Sequence, residues 1–288
     1  DITSVGCHTL LWDFEKGDYH TWVKKEGLYR KFAPLANVEE PISTFNESKQ
    51  LWVGIGLHDS SAALIPYLAA FHEPFVLIST GTWCISLNPF NKSLLTDEEL
   101  KQDCLCYLTY QGKPVKASRL FAGNEHEQQV KRLAAHFGKE IEYYKTVRLD
   151  VDMLQQPAVA EMRQQEERGT IVSLQESLFA QRDLASFASY EEAYHRLIQD
   201  LVLQQVASTK LVLDQTTVRR IFVDGGFGKN PIYMHLLAAA FPEVEVFAAS
   251  MAQATAMGAA LAIHSSWNSK HLPGDLIELK YYGVVQNV

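Results

Sequence analysis

The chain has 288 residues, and its 47% hydrophobic and 21% charged residues are ordinary for a soluble globular protein with one or two cores. Its formal net charge of −8 argues against nucleic acids and anionic membranes as main partners, because both need a basic surface. No apolar run approaches the roughly 18 residues that a membrane span requires, and no signal peptide is visible.

Four cysteines are too few and too irregularly spaced for a disulfide framework. We expect reduced thiols in a cytoplasmic protein. The Cys104-x-Cys106 pair is accompanied by neither a second cysteine pair nor a histidine at zinc spacing, so it predicts no metal site.

The first part of the chain predicts short strands followed by one helix. Two apolar-aromatic runs flank Gly17 and indicate a hairpin over residues 10–23. Residues 52–56 form a short apolar run that predicts a buried strand. The Ala- and Leu-rich residues 60–71 predict a helix in which Pro66 is a candidate kink.

The rest of the chain alternates strands and helices, which indicates an α/β layer fold. Asn124 and Glu127 fit an N-cap and capping box for a helix that ends near Phe137. The polar residues 150–185 indicate solvated helices. Strands are further predicted at 75–79, 83–87, 219–223 and 244–247, and helices at 190–213, 231–241 and 252–263, whereas residues 265–288 are weakly patterned.

His58 and Asp59 lie at the junction between a predicted strand and a predicted helix. Catalytic side chains project from such strand ends, and a carboxylate there can accept the proton of a hydroxyl that attacks phosphorus. Asp is also a preferred N-cap residue, and position alone favours that capping role for Asp59. His58 either hydrogen-bonds a sugar hydroxyl or is a satisfied core histidine.

Residues 79–82, Ser-Thr-Gly-Thr, form the bend between two predicted strands. Gly81, placed between hydroxyl residues, can wrap a phosphate with backbone N–H groups and with the hydroxyl of Thr82. An ordinary hairpin turn uses the same residue types. By itself this motif leaves both interpretations open.

A glycine-rich loop precedes the helix predicted at 231–241. Gly225 and Gly226 allow a ligand to approach the backbone, and the helix start offers unpaired N–H groups, a combination typical of nucleotide binding. The loop follows neither the Gly-x-Gly-x-x-Gly nor the Gly-Lys-Ser/Thr pattern. Lys229 is either a phosphate ligand or a solvated lysine, and Asn230 either caps the helix or has a secondary role at the nucleotide.

Together and in this order, the three segments resemble the FGGY family of carbohydrate kinases, over most of residues 1–264. Members carry a Gly-x-x-Asp strand end, a Gly-Thr hairpin and a Gly-Gly-x-x-x-Asn loop. The Ala/Gly-rich segment 254–260 resembles the family's closing helix. The Gly-Thr-Trp hairpin and the histidine before the Asp are similar to the rhamnulose and fuculose kinases.

The resemblance implies an actin-like (ribonuclease H-like) ATPase fold, with residues 1–73 as the end of domain I and residues 74–288 as the nucleotide-binding domain II. It implies ATP-dependent phosphorylation of a sugar hydroxyl, on a ketose or deoxyketose, with Mg²⁺ as the metal. Sugar and ATP would be the partners, and a homodimer is a possible assembly. Asp59 would be the catalytic base and would contact the sugar together with His58. The residues implied at the nucleotide are Gly81, Thr82, Gly225, Gly226 and Asn230.

One family feature is missing, because no Asp-x-Gly-Thr hairpin precedes Asp59 and only 58 residues come before it. We therefore expect the chain to be the C-terminal part of a kinase, without the first phosphate loop, and weakly active or inactive by itself. The alternative is a non-catalytic nucleotide- or sugar-binding sensor on the same fold. An actin-like or chaperone-like ATPase is a third class, but it gives His58 and Asp59 no use.

Overall fold

A computed structural model describes residues 1–46, 49–154, 173–251 and 253–283. The strands are β1 (Trp12–Asp13), β2 (Asp18–Tyr19), β3 (Ile42–Asn46), β4 (Lys49–Val53), β5 (Phe75–Thr80), β6 (Cys84–Asn88), β7 (Cys104–Leu108), β8 (Pro114–Leu120), β9 (Arg220–Gly225), β10 (Glu245–Ser250) and β11 (Glu278–Tyr282). The α-helices are α1 (Ile2–Val5), α2 (Thr21–Lys25), α3 (Asp59–Ala70), α4 (Asp97–Lys101), α5 (Ala122–Phe137), α6 (Val151–Leu154), α7 (Tyr190–Leu213), α8 (Pro231–Ala240), α9 (Ala254–Ala262) and α10 (His264–Trp267). Short 3₁₀ turns occupy Leu28–Lys31, Ile141–Thr146, Phe179–Gln181, Leu184–Ser186 and Phe227–Lys229.

Seven strands form one mixed sheet in the order β11-β10-β9-β5-β6-β8-β7. Its centre is parallel, because β9 pairs in parallel with both β5 and β10, and the remaining pairs are antiparallel. The carboxyl ends of β5 and β9 therefore meet at the same edge, where Thr80 is paired with Gly225. In open α/β sheets that edge is where ligands bind. The α/β architecture agrees with the prediction.

Both faces of the central strands are buried, which explains their continuous apolar runs. Along β5, Val76 and Ile78 face one core, and Phe75 and Leu77 face the other. Helices α5, α7 and α8 cover the first face, and α3 covers the second. The alternation of side chains along a strand thus places one apolar run in two separate cores.

The long helix α7 coincides with the prediction for residues 190–213. Its buried surface also carries polar side chains, some of which hydrogen-bond to the sheet. Gln205 donates to the hydroxyl of Ser86, and that hydroxyl lies 2.9 Å from the hydroxyl of Thr209. These bonds fix the position of the helix on β6, although Oε1 of Gln205 has no hydrogen-bond partner in the described part of the chain.

Helices α3 and α9 cross at unusually close range. A Cβ atom placed on Gly258 would lie 1.8 Å from the carbonyl oxygen of Ala62, so no side chain fits there. Gly258 is therefore explained by packing between these helices. Among the described residues, no helix is both long enough and apolar enough to cross a membrane.

Several sequence predictions differ from the structure. Strand β4 ends at Val53 and is exposed throughout, so the buried strand predicted at 52–56 is wrong in place and in burial. Helix α5 begins at Ala122, which places Asn124 inside its first turn and not at the N-cap. The backbone N–H of Asn124 instead donates to the carbonyl of Thr82.

Two further predictions are partly met. The hairpin over residues 10–23 exists only as the two-residue strands β1 and β2, and Thr21 already begins α2. Of the solvated helices predicted at 150–185, residues 151–154 are helical, while 155–172 lie outside the described residues. The strand β11 was not predicted, because its exposed residues carry little apolar pattern.

Candidate functional site

A cleft of about 540 Å³ opens at the carboxyl ends of β5 and β9. It brings together three of the predicted site residues: Gly81, Gly226 and Asn230. Thr82 and Gly225 adjoin these residues in the chain, while His58 and Asp59 do not belong to its lining. The remaining lining residues are Thr80, Gly123, His126, Tyr144, Lys145, Val147, Tyr194, Phe227, Lys229 and Pro231.

Gly225 and Gly226 have different roles in the loop after β9. Gly225 has a φ of +95°, and a Cβ there would lie 2.0 Å from the carbonyl oxygen of Thr80. The Thr80 hydroxyl donates to the carbonyl of Asp224 and accepts from the N–H of Phe227. Gly226 has an ordinary helical φ of −62°, and a Cβ there would meet nothing within 4 Å. Gly225 thus shapes the turn, and Gly226 leaves a bare backbone at the cleft.

The turn after β5 also combines one glycine whose Cβ would clash with one whose Cβ would have room. A Cβ on Gly123, in the first turn of α5, would lie 1.7 Å from the carbonyl oxygen of Gly81. A Cβ on Gly81 itself would come no closer than 3.9 Å to another residue. The start of α5 therefore rests directly on the Gly81–Thr82 turn. Sequence reasoning missed Gly123, which lies 42 positions from Gly81 and carries no local motif.

One side of the cleft is aromatic. The ring of His126 meets the rings of Tyr144, Tyr194 and Phe227 edge-on, at centroid distances of 5.0, 5.8 and 5.4 Å. Burial lowers the pKa of His126 to about 4, so its imidazole is neutral at pH 7. Aromatic walls with a few fixed polar groups are typical of small-molecule sites. The sequence analysis did not select these residues, because their contacts are long-range.

Asn230 serves both helix α8 and the aromatic wall. Its Oδ1 accepts hydrogen bonds from the N–H groups of Ile232 and Tyr233, which makes it the N-cap of α8. Its Nδ2 donates to the hydroxyl of Tyr194 at 3.0 Å, and that hydroxyl lies 3.1 Å from Nε2 of His126. The cap predicted for Asn230 is present, and its amide orientation is fixed by three partners.

The charged side chains that line the cleft are two lysines. Lys145 is ion-paired with Glu142, and Lys229 lies in the turn before α8. Among the described lining residues, none is Asp or Glu. Such a cleft suits an anionic ligand. It does not suit Mg²⁺ held directly by protein, because that ion binds through carboxylates and phosphate oxygens.

Asp59 is the first residue of α3, and its side chain is 79% exposed. The N-cap position is occupied by His58, whose side chain makes no capping bond. Asp59 therefore does not have the N-cap role that its position favoured. Its Oδ1 accepts from the N–H and from the hydroxyl of Ser60.

His58 is held beside Asp59. Its backbone N–H donates to the hydroxyl of Thr3 at 2.8 Å, and its Nε2 lies 3.6 Å from Oδ1 of Asp59. Burial lowers the pKa of His58, with the nearby charge of Asp59 acting in the opposite direction. A neutral imidazole and an exposed carboxylate thus stand side by side at the start of α3.

A family model for the C-terminal domain of FGGY carbohydrate kinases matches residues 72–271. This match includes both glycine turns and the whole lining of the cleft. The chain belongs to the FGGY carbohydrate kinase family. The resemblance to that family is therefore confirmed, and the assignment to the rhamnulose and fuculose branch stays a prediction.

Solved structures show the same fold. A carbohydrate kinase from Novosphingobium aromaticivorans matches with a TM-score of 0.68 and 21% identity, over 100% of this chain and 62% of its own. A ligand-bound xylulose kinase from Lactobacillus acidophilus matches with a TM-score of 0.58 and 14% identity, over 81% of this chain and 47% of its own. A Plasmodium falciparum glycerol kinase with ADP matches with a TM-score of 0.56 and 13% identity, over 91% of this chain and 54% of its own. These likenesses confirm the actin-like fold.

The chain spans between 47% and 62% of the length of these three structures. The activity of a whole kinase is therefore a matter for proposal. A search of curated proteins found no match.

Proposed function

We propose that this chain is the nucleotide-binding part of an ATP-dependent carbohydrate kinase that phosphorylates a hydroxyl of a ketose or deoxyketose. The observation that carries the proposal is the meeting of two glycine turns, at Gly81 and Gly226, in one cleft with two lysines and no described acidic lining residue. Bare backbone and positive charge are what a polyphosphate requires. The family membership supplies the reaction class.

Within that cleft, the nucleoside would lie over Gly225 and Gly226, beside the aromatic wall of His126 and Tyr194. The phosphates would extend toward Gly81 and Thr82, whose backbone is held by α5. The glycerol kinase of similar fold is described with ADP, which supports a nucleotide as the ligand. Mg²⁺ would come with the nucleotide, because the described lining offers it no carboxylate.

Asp59 would accept the proton of the attacking sugar hydroxyl, and His58 would hydrogen-bond the sugar. An exposed carboxylate at the start of a helix is available to a substrate, and the neighbouring neutral imidazole can donate or accept a hydrogen bond. Helix α3 packs against the sheet of residues 74–288 and is bonded to it through Tyr67 and Asp224, so a hinge near residues 73–74, between domain I (1–73) and domain II (74–288), does not fit this packing. Asp59 would instead reach the phosphate when the remainder of domain I closes and excludes water.

Nucleotide binding can be tested on the chain itself. We expect ADP to bind in calorimetric titration, and Gly226→Ala to weaken that binding at least about tenfold without loss of stability, since its methyl group meets only the cleft. Gly274→Ala is the matched control, because a Cβ there also meets nothing within 4 Å and the residue lies outside the cleft. Equal ADP affinity in the two variants would contradict the assignment.

The catalytic role of Asp59 is tested in the full-length kinase. We expect Asp59→Asn to lower kcat for ATP-dependent sugar phosphorylation by roughly 10²–10⁴-fold, because a general base contributes about that much. Asp97→Asn, which changes an exposed carboxylate in the first turn of α4, is the matched control and should leave kcat within about threefold. A loss below about threefold in Asp59→Asn would remove the residue from the mechanism.

We expect the chain alone to show feeble or no turnover. Phosphoryl transfer depends almost entirely on positioning and charge stabilisation, and residues 1–58 contain no Asp-x-Gly-Thr hairpin. Coupled assays of ATP consumption with a panel of ketoses would measure this. Full sugar-dependent turnover by this chain would refute the proposal that a first phosphate loop is required from elsewhere. ADP binding without turnover by a whole kinase would instead favour the sensor alternative.

A further inference from the structure

Away from the cleft, three metal-ligating side chains converge where the N-terminal segment meets the start of α3. Cys7, His8 and His58 each place one ligand atom within 4.8 Å of the other two. We propose that these residues form a binding site for a borderline divalent cation, with Zn²⁺ as the best match. This site is distinct from the nucleotide cleft, and its existence does not depend on the proposed kinase activity.

The backbone around this cluster is held in place. The Thr3 hydroxyl accepts the hydrogen bond from the N–H of His58, which fixes the N-terminal segment against the start of α3. The rings of His8 and Tyr107 flank His58 at centroid distances of 5.7 and 5.3 Å. The thiol of Cys7 donates to the carbonyl of Ser4 at 3.2 Å, a weak bond that a metal would replace.

An unsatisfied atom in the cluster is a second and independent observation. Nδ1 of His58 is buried and has no hydrogen-bond partner in the described part of the chain. Buried polar atoms are almost always paired, so an orphaned imidazole nitrogen calls for a proton donor or a cation. The other ring nitrogen, Nε2, lies 3.6 Å from Oδ1 of Asp59.

The donor set selects the metal. One thiolate and two imidazoles suit Zn²⁺, whereas Mg²⁺ and Ca²⁺ require oxygen ligands. In a tetrahedral zinc site the ligand atoms lie roughly 3.3–3.8 Å apart, so the widest pair here would close by about 1 Å around an ion. His8 is exposed and can make that adjustment by side-chain rotation. Three protein ligands leave one coordination position for water.

Cation binding has a chemical signature in its pH dependence. The ligand form of Cys7 is the thiolate, so the thiol must lose its proton when a cation binds, and the affinity should increase with pH. A bound ion would also use the imidazole that the proposed function gives to the sugar, so cation and sugar would compete for His58.

Titration of the metal-free 288-residue chain with Co²⁺ alone tests the site, since Co²⁺ reports thiolate ligation by a charge-transfer absorption in the near ultraviolet. We expect this band to saturate at one equivalent and to disappear when Zn²⁺ is added. Cys7→Ser should abolish the band, and His8→Ala should weaken Co²⁺ binding at least about tenfold. Cys106→Ser, which alters a half-buried cysteine elsewhere, should leave it unchanged.

Circular dichroism of the metal-free variants shows whether each is folded. His8 is exposed, so His8→Ala tests ligation even where Cys7→Ser is unstable. Absence of the band at one equivalent of Co²⁺ would overturn the proposal. A band that survives in folded Cys7→Ser, or binding that His8→Ala leaves unchanged, would overturn it too.

Discussion

The hydroxyl of Tyr67 donates a 3.0 Å hydrogen bond to Oδ2 of Asp224, 157 positions further along the chain. Tyr67 lies in α3, the helix that begins at Asp59, and Asp224 directly precedes the glycine turn. The other oxygen of Asp224 accepts from the N–H of Gly225 at 2.7 Å. Through this one carboxylate, the helix that carries the proposed base is bonded to the loop that carries the proposed nucleotide site.

We predict that Tyr67→Phe lowers the free energy of unfolding by about 1–3 kcal/mol. Tyr67 is fully buried, and removal of its hydroxyl leaves Oδ2 of the half-buried Asp224 without that donor. Urea denaturation at pH 7 measures the change. Tyr281→Phe is the control, because the Tyr281 side chain is 60% exposed and its loss of a hydroxyl should cost almost nothing. Equal stability of both variants would show that the bond is unimportant.

Gly123→Ala should destabilise the protein by about 1–3 kcal/mol, the usual cost of overpacking. The new methyl group would collide with the carbonyl of Gly81, so either α5 or the turn must move. Gly81→Ala, on the other side of the same contact, has room for its methyl group and should be less destabilised. Thermal unfolding of the two variants compares them, and the reverse order of stability would contradict this packing.

Two substitutions can separate the two roles of Asn230. Asn230→Ala removes the N-cap of α8 and should cost about 1–2 kcal/mol. Asn230→Asp keeps an oxygen for the cap but loses the amide that donates to Tyr194, so it should retain most of the stability. Chemical denaturation distinguishes them. Similar losses in both variants would show that the Tyr194 contact, and not the cap, is what the residue supplies.

His126 should make stability depend on pH. Burial lowers its folded pKa to about 4, from about 6.5 in an unfolded chain. Stability from the neutral imidazole is therefore fully present above pH 6.5 and is lost as the pH falls toward 4, by on the order of 1–2 kcal/mol for a half-buried ring. His126→Asn should flatten this pH dependence, measured by urea unfolding at pH 7, 6 and 5. His136→Asn, exposed on the same helix, should leave the slope unchanged.

The parts of the fold that could be predicted are those whose pattern is local. Strand β5 is buried along its length and has a continuous apolar run, and helix α7 has apolar residues at three- and four-residue spacing. Both patterns can be recognised in the sequence. Strand β4 gave a misleading signal. Its apolar residues Leu51, Trp52 and Val53 are between 41% and 54% exposed in the hairpin with β3, so hydrophobicity did not report burial there.

The candidate site also has a part that local motifs predict and a part that they do not. The glycine turns are local motifs, and their meeting in one cleft follows from parallel pairing of β5 and β9. His126 and Tyr194 are 68 positions apart, and Cys7 and His58 are 51 positions apart, with no spacing rule that joins them. Tertiary packing brings such pairs together, and no periodic pattern in a single sequence predicts it.

The contrast between Gly225 and Gly226 also bears on protein engineering. Gly225 and Gly123 would place a side chain inside neighbouring backbone, so a library that varies them would yield mostly misfolded clones. Gly226 and Gly81 face open space, and substitutions there should reshape the cleft while the scaffold survives. Efforts to change which ligand the cleft accepts should therefore randomise these two positions first and leave the other two untouched.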